Sequence, residues 1–460
     1  MDIDGKKILV VGLGKTGVSL CRFLTARGAM VTATDSSPAA ALAAARQALQ
    51  GLPIALEMGA AVPANWPDHD LIVLSPGVPP ELPWLQEAAA KGMPVLGDLE
   101  VASHFFTVPV VAISGTNGKT TTTTLVGELL RETGRRPLVG GNIGTPLVDL
   151  VADQEQADSL VLEISSFQLD TAPSFHAYAA VLLNITADHL DRYPDFPAYV
   201  RSKAGLFRNQ GAEDVAVLNA DDPQVAPLAG ALGSQVYFFS RRVPQKLGAW
   251  LSGDLIHLQV ARGLQAAFPV RDLKLMGGHN LENVMAALLL ALAMGADIEA
   301  CCRVLARFRG LPHRLEWVGE YGGVDFYDDS KGTNVGAVVR ALEHFDRPIV
   351  LIAGGRDKGG DYAPLIPLVR QKVRQVVLLG EAKEAMAAAL HGQAPIRLAA
   401  EMAEAVSMAA AAARPGDVVL LSPACSSFDM FHDYAERGRV FQHAVKELSN
   451  GRASSKRTSA

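Results

Sequence analysis

Cysteine is scarce in this chain of 460 residues: there are four, Cys21, Cys301, Cys302 and Cys425, and no two have CxxC spacing. Neither a disulfide framework nor a zinc site follows, and reduced thiols are expected. Long apolar runs are missing too. The longest nearly pure stretch, Val284 to Ala296, contains Gly295 and stops at Asp297, well short of the ~20 residues that cross a bilayer. No membrane insertion is expected. The start, MDIDGKKILVV, lacks the apolar core and small-residue cleavage site of a secretory signal, so a cytoplasmic location is expected. Nor is there a basic excess: 42 Lys+Arg stand against 48 Asp+Glu, a formal net charge of -6. That balance disfavours a general nucleic-acid binder and favours a small-molecule partner.

What the chain does have is core-forming material, with 49% hydrophobic and 20% charged residues. This excludes wholesale disorder, a collagen-like repeat and a coiled coil, and the length suggests about three domains of ~150 residues. Short apolar, β-branched runs alternate with helix-length segments: KILVVGLG, LIVLSPG, VPVVAISG, SLVLEISS, YAAVLLNIT, DVAVLN, PIVLIAGG, VRQVVLLG and DVVLLSPA. Runs apolar at consecutive positions read as parallel strands covered on both faces by helices, an α/β fold whose function sits at strand C-terminal ends. The first unit spans residues 1–97, the second 98–310 and the third 311–448. The tail 449–460 has little to pack and is expected to be disordered. Alternation between Ala249 and Leu275 suggests an antiparallel hairpin added to the second unit.

Two glycine-rich turns carry chemistry. Gly12, Gly14 and Gly17 form G-L-G-K-T-G after the strand Ile8–Val11, and Asp35 closes the next strand. The pattern matches a dinucleotide fingerprint, in which glycines permit a tight turn and close backbone approach to a pyrophosphate at a helix N-terminus. A nucleoside diphosphate, NAD(P) or a ligand-free Rossmann turn all satisfy it. Ser75-Pro76-Gly77-Val78 is a second turn beside it. The other turn, Ser114-Gly115-Thr116-Asn117-Gly118-Lys119-Thr120, lies between a β-branched strand and the amphipathic segment Thr121–Arg131. It is a phosphate loop one glycine short of the strict pattern, since Ile113 stands where that pattern has its first glycine. Lys119 suits the β- and γ-phosphates of ATP, and the Thr120 hydroxyl suits Mg²⁺. Glu163, at a strand end, offers a carboxylate to the same ion. His189, in Asp188-His189-Leu190-Asp191, is a less usual ligand for so hard a cation. Lys203, in the predicted helix Pro197–Phe207, reads by default as a solvated lysine.

These motifs together resemble the Mur ligases, ATP-dependent amide-forming enzymes of bacterial cell-wall assembly related to folylpolyglutamate synthetases. GTNGKTT, the strand-end glutamate, DHLDRY, GGHNLENVMAA, GLPHRLE, DDSKGTN and AGGRDKGGD occur in the family's order. LEISSFQL, GLPHRLE and SPACSSFDMF look most like the members that add D-glutamate. The resemblance implies three domains: an N-terminal Rossmann-like domain for the UDP of the substrate, a central phosphate-loop ATPase-like domain, and a C-terminal Rossmann-like domain for the amino acid. It implies UDP-N-acetylmuramoyl-L-alanine and D-glutamate as substrates, joined through an acyl phosphate, in a monomer. It further implies two Mg²⁺ ions and a Lys203 carbamylated by CO₂, which would share the second ion with His189.

The same resemblance assigns residues. Lys15, Thr16, Asp35, Ser36 and Ser75 fall at uridine-diphosphate positions. Gly115, Thr116, Asn117, Gly118, Lys119, Thr120 and Thr121 cradle ATP, Asn280 and Asn283 match the positions that read adenine, and Asn142 lies near the transferring phosphoryl group. His313, Arg314, Asp329, Lys331 and Thr333 map to residues that close on nucleotide and substrate, and Lys358, Ser427, Phe428 and Tyr434 to the glutamate pocket. The acyl phosphate is prone to hydrolysis, so the C-terminal domain is expected to close over the central one before chemistry. An NAD(P)-dependent oxidoreductase, another member of the family and a regulatory nucleotide-binding module are the rival readings.

Overall fold

The computed structural model describes residues 1–457 apart from 143, 189–191, 264, 276, 358 and 360, and says nothing of the side chains of 262 and 449–457. It contains three sheets in two compact units, one of residues 1–276 and 280–308, the other of 277–279 and 309–460.

In the first unit, β1 (Lys7–Val11), β2 (Met30–Asp35), β3 (Ala55–Met58), β4 (Leu71–Leu74) and β5 (Val95–Gly97) form a parallel sheet in the order β3-β2-β1-β4-β5. The chain leaves β1 toward one side and returns to the other at β4, so a crevice opens at their carboxyl ends. The second sheet contains β6 (Val110–Ser114), β7 (Pro137–Gly141), β8 (Ser159–Glu163), β9 (Ala179–Leu182), β10 (Val215–Asn219), β11 (Gln235–Ser240), β12 (Gly248–Ser252), β13 (Leu255–Gln259) and β14 (Gln265–Pro269). Its order is β14-β13-β12-β11-β10-β9-β6-β8-β7. β6 sits between β8 and β9 with every residue buried, which is why its sequence is continuously apolar rather than alternating. The expected hairpin is a three-stranded meander instead: β12 joins β11 in parallel, and β13 and β14 follow antiparallel. The short run Gln265–Pro269 supplies the extra strand, and only Phe268 of it is buried, so alternation there is weak.

One hydrophobic cluster runs through the first two sheets, from Ile3, Leu20, Phe23 and Val73 to Leu150, Leu162, Phe175 and Val225. Phe23 meets Phe105 edge-on at 5.2 Å, and the Ser19 hydroxyl donates to the Asp149 carboxylate at 2.9 Å.

The second unit holds β15 (Glu316–Tyr321), β16 (Val324–Asp328), β17 (Ile349–Gly354), β18 (Val373–Leu379), β19 (Ile396–Leu398) and β20 (Val418–Leu421), ordered β15-β16-β20-β17-β18-β19. All pairs are parallel except the antiparallel β15 at the edge. The carboxyl ends of β16, β17 and β20 therefore bring Asp328–Thr333, Gly355–Asp357 and Ser422–Ser427 to one edge. The last helix, Tyr434–Arg457, continues past Leu448, where the sequence reading ended it; residues 458–460 lie outside the described residues. No helix among the described residues is long and apolar enough to cross a membrane.

Candidate active site

Around β1, the expected glycine turn forms, and its geometry explains the third glycine. Gly17 lies one helical turn into Lys15–Thr25, and a β-carbon there would overlap the Gly12 carbonyl oxygen. The Ser75 hydroxyl, from the end of β4, donates to that same carbonyl at 2.8 Å, so Ser75 ties the two edges of the crevice. Asp35 accepts from the Leu13 N–H at 2.8 Å and the Ser37 N–H at 2.8 Å. Burial alone would raise its pKa, but these hydrogen bonds outweigh burial and hold it below the usual carboxylate value. Asp35 thus shapes the turn. Thr16 is half-buried beside it, Ser36 is exposed, and Lys15 reaches out to the Gly144 carbonyl at 2.6 Å.

The phosphate loop after β6 is built by its neighbours. Gly118 caps the helix Lys119–Glu132 with φ at 87°, a left-handed conformation that favours glycine, and a β-carbon there would overlap the Asn283 amide oxygen. Asn117 and Asn184 exchange two bonds: the Asn117 N–H donates to the Asn184 side chain at 2.9 Å, and the Asn184 amide donates to the Asn117 carbonyl at 3.1 Å. Thr116 accepts from the Thr186 N–H at 3.1 Å and lies 3.3 Å from the Tyr199 hydroxyl. Lys119 folds back onto its own loop, donating to the carbonyls of Gly115 at 2.8 Å and Thr116 at 3.0 Å. Thr120 follows it in the first turn, and Thr121 is buried. Asn280 and Asn283 begin the helix Gly278–Ala293, both buried. The Asn283 amide donates to Asn280 at 3.1 Å, and its oxygen accepts from Thr122 at 3.3 Å.

Two further groups among the described residues converge on this loop. Glu163, the last residue of β8, is 2% exposed; one oxygen accepts from the Asn142 amide at 3.2 Å, and the other is buried with no hydrogen-bond partner among the described residues. An orphaned carboxylate oxygen in that position suits a hard cation. Lys203 corrects the solvated default: it is 2% exposed, because the helix Phe196–Ala204 turns it inward over the Tyr199 ring, with Nζ donating to the Gly115 carbonyl at 3.1 Å. Burial, reinforced by the Lys119 charge, pushes its pKa well below the usual lysine value. His189 lies outside the described residues.

In the second unit, Asp329 is buried and accepts from the Ser422 hydroxyl at 2.7 Å. Burial pushes its pKa up to about 7 despite that bond and the nearby Arg314 charge. Lys331 sits 3.8 Å over the Tyr434 ring, and the Thr333 N–H donates to the Lys331 carbonyl at 2.8 Å. Ser427 is buried, whereas Phe428 is 62% exposed. Lys358 lies outside the described residues.

Sequence reasoning missed Arg437, 1% exposed. Its guanidinium donates to the Ser330 hydroxyl at 2.9 Å and to the carbonyls of Ser330 at 2.8 Å, Cys425 at 3.2 Å and Ser426 at 3.2 Å. Burial lowers its pKa to about 10. Asn184 and Tyr199 were missed as well. An asparagine just after a buried strand was the one available signal, and a lone tyrosine or arginine in an amphipathic helix gave none.

A phosphate loop flanked by a buried strand-end glutamate and a buried lysine, in a chain that also carries two Rossmann-like sheets, defines a nucleotide-dependent group-transfer enzyme. Residues 6–97 match the Mur ligase MurD-like N-terminal domain, 113–291 the Mur ligase middle domain, and 313–425 the Mur ligase glutamate ligase domain. The chain belongs to the Mur ligase family. The UDP-N-acetylmuramoylalanine--D-glutamate ligase of Geobacter metallireducens is 49% identical over 451 residues, 98% of this chain and 99% of that protein. That of Trichlorobacter lovleyi is 49% identical over 449 residues, 97% of this chain and all of the relative. Among solved structures, the UDP-N-acetylmuramate-alanine ligase MurC of Thermotoga maritima superposes with a TM-score of 0.59 at 19% identity, covering 96% of this chain and 99% of that one. A pseudomurein peptide ligase type C from Methanothermus fervidus gives 0.61 at 18%, covering 96% and 100%.

Proposed function

We propose that this enzyme joins D-glutamate to UDP-N-acetylmuramoyl-L-alanine, consuming ATP and releasing ADP and phosphate, in the synthesis of peptidoglycan precursors. The observation that carries the reading is the meeting of Lys119, Lys203 and Glu163 at one phosphate loop, in a chain about half identical to enzymes of that name. Residues 1–97 hold the UDP moiety through Lys15, Thr16, Asp35, Ser36 and Ser75. Residues 98–310 hold ATP through the loop 115–121 with Asn280 and Asn283. Residues 311–448 supply Arg314, Asp329, Lys331 and Thr333, and hold D-glutamate through Lys358, Ser427, Phe428 and Tyr434.

The alanyl carboxylate attacks the γ-phosphorus of ATP, giving an acyl phosphate and ADP. The amine of D-glutamate, once deprotonated, attacks the acyl carbon, and phosphate leaves. The first step brings two anions together, so its barrier is electrostatic. Lys119 exchanges its carbonyl partners for phosphate oxygens and offsets that charge, while Asn142 orients the transferring group from beside Glu163. Two Mg²⁺ ions, when bound, supply further positive charge. Thr120 and Glu163 would hold one. His189 and Lys203, carbamylated on Nζ and so converted from a cation to an oxygen donor, would hold the other.

The test is phosphate release by the purified protein with ATP, Mg²⁺ and UDP-N-acetylmuramoyl-L-alanine, offered D-Glu, L-Ala, L-Lys and meso-diaminopimelate separately. Phosphate should appear one-for-one with new amide for D-Glu. Phosphate release without amide, or selection of another amino acid, overturns the reading.

A further inference from the structure

The turn after β16 is gripped by buried groups, and one of them, Asp328, has no part in the chemistry assigned above. Asp328, the last residue of β16, is 0% exposed. One of its oxygens lies 2.6 Å from His313 Nδ1 and accepts from the Gln442 amide at 2.9 Å, and the other accepts from the Ser330 N–H at 2.9 Å. His313 takes a left-handed φ of 62°, unusual for a residue with a β-carbon. It is held there from every side: its N–H donates to Glu316 at 2.8 Å, its carbonyl accepts from the Lys331 N–H at 3.0 Å, and its ring is bound by Asp328. The Leu315 N–H donates to Asp329 at 3.3 Å. A β-carbon on Gly438 would overlap His313 Nδ1 and come within 2.7 Å of the Asp328 carboxylate, so the last helix closes directly over the pair.

We propose that Asp328 is a positioning residue for the ligase reaction: acting through His313, it fixes the turn from which Asp329 and Lys331 are presented. The assignment rests on the reading of those two side chains as nucleotide and substrate contacts. A carboxylate this deeply buried requires a partner, and once in place it makes a directional anchor. His313 passes the anchor on through its own carbonyl to the Lys331 amide, directly after the next buried anchor, Arg437 on Ser330. The Asp328 hydrogen bond outweighs burial and raises the His313 pKa. The other groups facing the imidazole are Glu316, whose carboxylate is 4.0 Å from Nδ1, the Arg439 charge, which opposes protonation, and the Tyr434 ring, edge-on at 6.3 Å.

The full-length protein tests this with Asp328→Ala, which removes the anchor, and Asp328→Asn, which keeps its shape without the charge. Amide hydrogen exchange at residues 329–333 and the KM for ATP are measured beside kcat and the KM for the UDP substrate. In Asp328→Ala, exchange at the Lys331 amide should accelerate about tenfold or more, the size of a lost charge-assisted bond. The KM for ATP should rise by a similar factor, with the KM for the UDP substrate unchanged. Asp328→Asn should fold and should move the alkaline limb of the ATP KM profile to lower pH, as the imidazolium loses its anionic partner. Wild-type exchange at Lys331 with an unchanged KM for ATP overturns the proposal. Should Asp328→Ala not fold, an Asp328→Asn pH profile superimposable on wild type overturns it instead. Faster exchange in a protein whose wild type never forms amide upholds the anchor and overturns the ligase reading.

Discussion

Lys119 and Lys203 share one hydrogen-bond acceptor, the carbonyl oxygen of Gly115, at 2.8 and 3.1 Å. That acceptor is neutral, and an anion in its place would be the stronger partner for a cationic side chain. For Lys119 the anion proposed above is a phosphate oxygen of ATP. Lys119→Ala should therefore lower ATP-dependent ADP formation by about a thousandfold, in the range seen when one preorganised charge donor is lost. Turnover within tenfold of wild type, measured by ADP release in a coupled assay, would remove the lysine from this role.

Lys203, carbamylated as proposed above, would become an anion itself. Lys203→Ala should lose activity and recover part of it in formate or acetate, whose oxygens can occupy the space of a carbamate. Full activity of the variant without added carboxylate would sink the carbamate.

Asp98 offers a test of stability rather than chemistry. Its carboxylate is 3% exposed and accepts from the Gln168 amide at 3.1 and 3.4 Å, and burial raises its pKa to about 7. The native state thus keeps a proton that the unfolded chain, titrating near 3.9, has already lost. The contribution of this group is most favourable below the unfolded pKa and declines as pH rises through the window to about 7, by up to about 1.4 kcal/mol per pH unit. Urea titrations across that window should slope downward less steeply in Asp98→Asn; parallel wild-type and variant slopes contradict the assignment.

Gly17→Ala drives a methyl group into the Gly12 carbonyl. The expected cost is about 2 kcal/mol of overpacking, with a raised KM for the UDP substrate and little change in that for ATP. An unchanged denaturation midpoint with unaltered kinetics would show that the turn yields.

Arg437→Met leaves the Ser330, Cys425 and Ser426 carbonyls short of a buried donor. Loss of about 3 kcal/mol is expected from such unsatisfied groups, read as a lower denaturant midpoint for the unit that contains residues 309–460. Undiminished stability would mean that water or a rearranged helix takes over.

The sequence announced most of the parallel strands because β6, β10, β17 and β20 are buried along their length, and burial on both faces leaves no room for polar alternation. Both glycine turns were legible for a related reason: Gly17 and Gly118 stand where a side chain would strike a neighbour. Lys203 was legible only by resemblance, since nothing in the helix Phe196–Ala204 marks that lysine as inward. Arg437 and the His313–Asp328 pair were not legible at all. Asp328 lies 15 residues from His313 and Ser330 lies 107 from Arg437, and three of the Arg437 contacts are to backbone carbonyls, which every residue type possesses.

The single cluster that links the first two sheets has a consequence during synthesis. A nascent chain ending at Gly97 already holds all five strands of its first sheet, yet Phe23, Leu20 and Leu24 still await Phe105 and the apolar residues that extend to Val225. Emergence of the whole N-terminal half from the ribosome is thus the condition for that sheet to hide its greasy face, and on heating the two sheets should melt as one calorimetric block rather than in sequence.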